Sequence, residues 1–164
     1  MPLTPQLWMG YSCIWYSQVL TSNLGMEKSQ NYVDLFNYRN KDMSGGLTEA
    51  WMESSLKITP REQIFFLEKI INETLPVSAH SFAMTKKIVF LDEINDWKLY
   101  GKTGSGRHIH ADGTVEQELG SGWFIGCLEH NDRSIAFVLN LRDEMKTEGF
   151  PGPRALQLLI PFIQ

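Results

Sequence analysis

Apolar residues recur at a loose helical period through Leu7, Trp8, Ile14, Trp15, Val19 and Leu20. This predicts a helix from Pro5 to about Leu24, stopped by Gly25. A shorter helix is predicted from Glu27 to Phe36. From Asn37 to Gly46 the period is lost, and Asn, Asp, Ser and paired glycines favour turns instead. Thr59-Pro60-Arg61-Glu62 then forms a capping box with proline at the first helical position. Ile64, Leu67, Ile70 and Ile71 follow on one face of the helix this starts. Another helix is expected from Ser78 to about Phe90.

The pattern changes in the last third of the chain. Lys98 to Thr103, Gly122 to Glu129 and Ile135 to Arg142 are rich in β-branched or aromatic residues and are bounded by turn residues. They predict three antiparallel strands. Asn131-Asp132 makes a hairpin of the last two, while Gly104 to Ser121 reads as a long loop. Pro153 to Ile163 closes the chain as a helix, with Pro151 and Gly152 just ahead of it. Helices, then strands, then a helix predict an α+β fold with helices packed on an antiparallel sheet. Trp8, Trp15 and Tyr16 are expected in the core. Trp123 and Phe124 alternate along their strand, so one enters the core and the other faces a site wall or solvent. Cys13, inside the first helix, and Cys127, in a strand, read as small buried hydrophobes.

Composition narrows the class. The chain has 164 residues, about the size of one domain, with 43% hydrophobic and 21% charged residues. That mix argues against disorder. A net charge of −4 leaves no broad basic face, so nucleic acid is not an expected partner. No apolar run approaches the roughly 18 residues of a membrane span. Two cysteines cannot make a disulfide framework. The first residues carry no basic stretch followed by an apolar one, so no signal peptide is visible and the chain as written is expected in the cytoplasm.

The chemistry centres on Gly101-Lys102-Thr103-Gly104 at the end of the first predicted strand. Lys102 offers a fixed cation and Thr103 a hydroxyl, while Gly104 lets a ligand approach the strand backbone closely. An anionic acyl substrate would fit such a set, and Lys-Thr-Gly is among the marks of penicillin-recognising serine enzymes. Alone the tripeptide is weak, but it stands in an ordered series. Tyr11-Ser12-Cys13-Ile14 lies upstream, then Tyr38-Arg39-Asn40, then Trp51 and the capped helix at Thr59. Gly122-Trp123-Phe124-Ile125-Gly126 and Gly152-Pro153-Arg154 lie downstream.

This series resembles the class D, oxacillinase-type, serine β-lactamases and the related penicillin-sensor domains over nearly the whole chain. The resemblance implies a serine β-lactamase/transpeptidase-like fold and β-lactams as small-molecule ligands. It implies that Ser12 helps pass a proton to the leaving nitrogen and that Trp51 bonds the family's carboxylated lysine. Lys102, Thr103 and Gly104 would form the substrate-binding strand, and Arg154 would pair with the drug's carboxylate through its planar fork. Two departures stand out. Ile14 replaces a usual valine, and Arg39 replaces the glycine of a Tyr-Gly-Asn element, where a positive φ is harder to reach.

The family's nucleophile lies in a Ser-x-x-Lys element upstream of Ser12, and the eleven residues before Ser12 hold no serine. The expectation is therefore an N-terminally truncated domain, roughly its C-terminal two-thirds, inactive alone, with a missing N-terminal half as a possible partner chain. No cofactor is expected, the carboxylated lysine belonging to the intact family, whose members are periplasmic or secreted. A fragment of a penicillin-binding sensor or transpeptidase domain is the alternative. Two further motifs compete for attention. Ser54-Ser55-Leu56-Lys57 is formally Ser-x-x-Lys, and on a helix the pair would share a face. It is read as a solvated helical segment. His108-Ile109-His110-Ala111-Asp112 looks like part of a zinc site, but Gly113 stands where a further histidine would complete it. It is read as a polar surface loop, and no metal is expected at the site.

Overall fold

Thr4 and Pro5 open the first helix: the Thr4 hydroxyl accepts the Leu7 N–H, and Pro5 occupies the first turn, where no N–H is needed. The computed structural model of this chain describes residues 3–110 and 112–163; Met1, Pro2, Ala111 and Gln164 lie outside the described residues. The chain divides into two compact units, Met1–Val89 and Phe90–Gln164.

The first unit is helical: α1 (Pro5–Tyr11), α2 (Ile14–Leu24), α3 (Met26–Leu35), α4 (Pro60–Ile71) and α5 (Ala79–Val89). The single helix expected from Pro5 to Leu24 is instead two. Ser12 ends α1 in the left-handed conformation at φ 51. Its N–H reaches the Met9 carbonyl and that of Cys13 reaches Trp8, the paired bonds of a Schellman close. Glycine or asparagine normally announces that close, and serine hides it. Cys13 is therefore the N-cap of α2, only half-buried, rather than a mid-helix core residue. The indole N–H of Trp8 donates to the Ser17 hydroxyl at 2.9 Å and ties the two helices together. Trp15 departs from the core expectation, being 59% exposed.

Between α3 and α4 lies a turn-rich stretch whose interior residues, Met43 and Ala50, are buried. The capping box at α4 is complete. Glu62 receives the N–H and hydroxyl of Thr59, and its own N–H donates to the Thr59 hydroxyl. The buried stripe of α4 runs through Gln63 and Leu67, one position off the expected Ile64. Gln63 is buried because it accepts the Tyr38 hydroxyl at 3.2 Å, a polar need that the apolar pattern does not show.

The second unit is a four-stranded antiparallel sheet in the order β1-β2-β3-β4, covered by α6 (Pro151–Leu159) and a 3-10 turn, Ile160–Phe162. The strands are β1 (Phe90–Ile94), β2 (Trp97–Ile109), β3 (Val115–His130) and β4 (Arg133–Arg142). Two sequence expectations change here. The first strand was not expected. It is short and carries Asp92 and Glu93, residues that strands avoid. Asn95-Asp96, both at positive φ (50 and 66), nevertheless make a two-residue primed turn into β2.

The expected loop from Gly104 to Ser121 is in fact the extended arms of the β2–β3 hairpin. Its glycines read as turns but serve packing. A Cβ on Gly122 would fall on the Pro151 carbonyl, and one on Gly120 would meet the Asp143 carboxylate at 2.7 Å. The pairing jumps from Arg107↔Gly120 to His108↔Glu116, so β3 bulges over residues 117–119.

One face of this sheet packs against α6. Leu99, Phe124, Leu128 and Phe137 meet Ala155, Leu159 and Ile163 there. Phe124 is wholly buried, and Trp123, on the opposite face, is not, which resolves the alternation read from the sequence.

Candidate active site

Lys102, Thr103 and Gly104 sit in the middle of β2, opposite Ile125, Phe124 and Trp123 of β3. The pleat therefore puts Lys102 and Gly104 on the face turned away from the α6 core, with Trp123 and Ile125 beside them. The Lys102 ammonium donates to the Thr103 carbonyl at 2.6 Å, which fixes its position on the strand. Partial burial, by disfavouring the charged form, lowers its pKa from the ordinary lysine value.

The two glycines flanking Lys102-Thr103 are not equivalent. A Cβ on Gly101 would lie 2.7 Å from the Ile125 carbonyl oxygen and 2.8 Å from the Phe124 ring. Gly101 is thus dictated by packing. A Cβ on Gly104 would meet only the Trp123 Cβ, at 3.8 Å. Nothing in the sheet requires glycine at that exposed position, and its effect is to leave the strand backbone open to a ligand.

The N-terminus of α6 abuts this strand. The Gly152 N–H donates to the Ser105 hydroxyl at 3.0 Å, and a Cβ on Gly152 would collide with the Gly104 carbonyl. Arg154 follows in the first turn of α6. Its Nη2 donates to Asp143 Oδ2 at 2.6 Å, and the Asp143 side chain is 6% exposed. The Arg154 hydrogen bond holds the Asp143 carboxyl below the ordinary aspartate range. Arg154 Nε is buried without a hydrogen-bond partner. Asp143 was not singled out in the sequence. It lies in an irregular, charged stretch after β4, and nothing local marks it as the anchor of Arg154.

Ser12 and Trp51 belong to the first unit. Ser12 is exposed at the break between α1 and α2, held at positive φ at a cost of about 1–3 kcal/mol. Trp51 is half-buried in the turn-rich stretch, directly after the fully buried Ala50. Asn40 clamps this region. Its side chain donates to the Ser55 carbonyl at 2.6 Å and accepts the Lys57 N–H at 2.9 Å. Arg39 does reach a positive φ of 23, and its guanidinium bonds Glu62 at 2.7 Å across a cleft of about 260 Å³. The ion pair thus accompanies a backbone shape that arginine reaches only with strain.

The competing motifs take other places than expected. Residues 51–59 are turns and extended chain, so Ser54 and Lys57 share no helix face. The Ser55 hydroxyl is structural, accepting the Gly45 N–H and donating to the Asp42 carbonyl. His108 lies on β2 and His110 directly after it, rather than in a free loop, and Asp112 Oδ1 is taken by the N–H and hydroxyl of Thr114. Among the described residues no three His, Cys, Asp or Glu side chains group to hold a metal ion, and no helix is long and apolar enough to cross a membrane.

A meandering sheet with a covering helix, a Lys-Thr-Gly strand and a separate helical unit is the arrangement of penicillin-recognising serine enzymes. The family description "Penicillin binding protein transpeptidase domain" matches residues 1–156, and the chain belongs to that family, on its class D β-lactamase side. It is 47% identical over 130 residues to β-lactamase OXA-1 of Escherichia coli, covering 75% of this chain and 45% of the relative. The crystal structure of the class D β-lactamase OXA-427 superposes with a TM-score of 0.90 at 39% identity, covering 98% of this chain and 69% of that one. The C-terminal domain of the Bacillus licheniformis BlaR penicillin receptor superposes with a TM-score of 0.81 at 28% identity, covering 94% and 60%. The chain spans about half the length of the curated β-lactamases it matches, 45% and 52% for two of them.

Proposed function

We propose that these residues form the substrate cradle of a class D-type, β-lactam-recognising serine acyl-transfer domain. The observation that carries this is the open backbone at Gly104 beside Lys102, set against the packing-locked Gly101 on the same strand. In this reading Lys102 supplies positive charge to the anionic β-lactam, and Thr103 and the exposed Gly104 backbone offer it hydrogen bonds. Arg154, oriented by Asp143, attracts its carboxylate. The family resemblance gives Ser12, in its strained turn, the role of passing a proton to the leaving nitrogen, and Trp51 that of bonding the family's carboxylated lysine. The cradle calls for no metal or other cofactor.

The attacking hydroxyl is the step these residues do not supply. The only Ser-x-x-Lys in the 164 residues is Ser54 to Lys57, on backbone that is not helical. We therefore expect no β-lactam turnover by this polypeptide unaided. The site works when completed by a segment equivalent to the portion of the relatives that it does not match, and enzymes of this class act in the periplasm or outside the cell. A penicillin-sensing role, in which acylation is not followed by hydrolysis, is the second reading, favoured by the likeness to the BlaR receptor domain.

The test is direct. Incubate the pure chain with a fluorescent penicillin, measure intact mass, and follow nitrocefin. No adduct and no bleaching are expected. Adding the unmatched N-terminal portion of a class D relative should restore bleaching, and Lys102→Ala should abolish the restored activity. An adduct on Ser54 would overturn the proposal, as would restored bleaching that is indifferent to Lys102.

A further inference from the structure

The end of the β2–β3 hairpin carries two histidines that the cradle does not use. His108 and His110 are two residues apart on extended chain, so both side chains leave the same face. Their rings lie 4.8 Å apart, centroid to centroid, at 68°. Two imidazoles bound to one ion at metal–nitrogen distances of about 2.0–2.1 Å would have centroids roughly 4.5–5.2 Å apart, between square-planar and tetrahedral angles. The observed separation falls within that range.

The surroundings favour a cation. Glu116 is the direct cross-strand partner of His108, so its carboxylate rises from the same face. His110 is held by its own N–H, which donates to the Thr114 carbonyl at 2.9 Å across the turn. Asp112 Oδ1 accepts the N–H and the hydroxyl of Thr114, and among the described residues it does not group with the two histidines as a third ligand. His108 is half-buried and His110 exposed, so the pair is open to an ion arriving from solvent.

We propose that His108 and His110 form a two-imidazole chelate for one divalent transition-metal ion at the end of the β2–β3 hairpin. Water completes the coordination sphere, because no third His, Cys, Asp or Glu among the described residues joins them. Imidazole ligands and the usual affinity order favour Cu²⁺, then Ni²⁺ and Zn²⁺. The hard ions Mg²⁺ and Ca²⁺ have no carboxylate cage here and are excluded. Two ligands from one short segment give a chelate whose loss on removing either ring is at least tenfold in affinity.

The site can be read on the tag-free full chain, in a Cys13→Ser, Cys127→Ser background that removes thiol ligands. Titration with Cu²⁺ should saturate at one ion per chain, with an electron paramagnetic resonance spectrum showing nitrogen couplings from two imidazoles. His108→Gln and His110→Gln should each weaken binding at least tenfold, and His80→Gln with His130→Gln should not. The spectrum of the unsubstituted histidines tests the proposal even where a histidine variant fails to fold. Saturable binding that survives both His108→Gln and His110→Gln, or a spectrum with no paired imidazole nitrogens, would overturn it. So would the absence of one-to-one saturation.

Discussion

Glycine does two different jobs within four residues of β2, and substitution separates them. At Gly101 an added methyl meets the Ile125 carbonyl and the Phe124 ring, both fixed parts of the sheet and core. Gly101→Ala should destabilise the protein by about 1–3 kcal/mol, as overpacking does. Gly104→Ala should leave stability within about 0.5 kcal/mol, because its methyl makes only an ordinary 3.8 Å contact with the Trp123 Cβ. Denaturant unfolding of the two variants checks this ordering, and equal losses would contradict it. Asp143 gives a second test at this scale. Its folded pKa is depressed by Arg154, so its ionised form adds stability at pH above the ordinary aspartate value of 3.8. That contribution disappears as pH falls through the folded value. Melting temperatures taken from pH 7 down to pH 2 should drop more steeply for the native chain than for Asp143→Asn.

Among the elements, α4 shows how sequence and structure divide the work. Thr59-Pro60-Arg61-Glu62 marks its start because the cap is made by residues three apart, a contact local enough to read in one dimension. Thr59→Ala should cost about 1 kcal/mol in chemical denaturation. Glu62 does more than cap: its second oxygen holds Arg39, whose place in the Tyr38-Arg39-Asn40 turn belongs to another part of the chain. The sheet shows the converse. Phe124 was legible as one of two alternating aromatics, but only the register against Thr103 and the docking of α6 assign it to the core. Phe124→Ala should lose about 3–5 kcal/mol, while truncation of its half-buried neighbour Trp123 should cost less. Comparison of the two unfolding curves decides it.

On the scale of the whole molecule, the consequence is functional. In the proposed reading, the Ser-x-x-Lys at Ser54 to Lys57 lies on non-helical backbone, and the cradle is expected to bind a β-lactam without an activated oxygen to attack it. Loss of the nucleophile in a serine hydrolase costs about 10⁶ in turnover. Steady-state nitrocefin hydrolysis by the pure chain should therefore be indistinguishable from buffer, and a rate within a hundredfold of an ordinary class D enzyme would refute the reading.

What the residues determined alone were the features made by near neighbours. These were the α4 cap, the Asn131-Asp132 hairpin, the Lys102-Thr103-Gly104 strand and the ordered motifs that mark the family. Each depends on spacings of a few residues, where propensity and covalent geometry dominate. Tertiary structure decided the rest. It split the first helix at Ser12, extended β2 and β3 through glycines that look like turns, added β1, and tied Arg154 to Asp143. The Ser12 break and the turn into β2 are short-range closures that their residue types conceal, whereas for β2, β3 and Arg154 a partner elsewhere in the chain supplies the missing bond or forbids a side chain. No local pattern encodes that exchange of a local preference for a long-range contact.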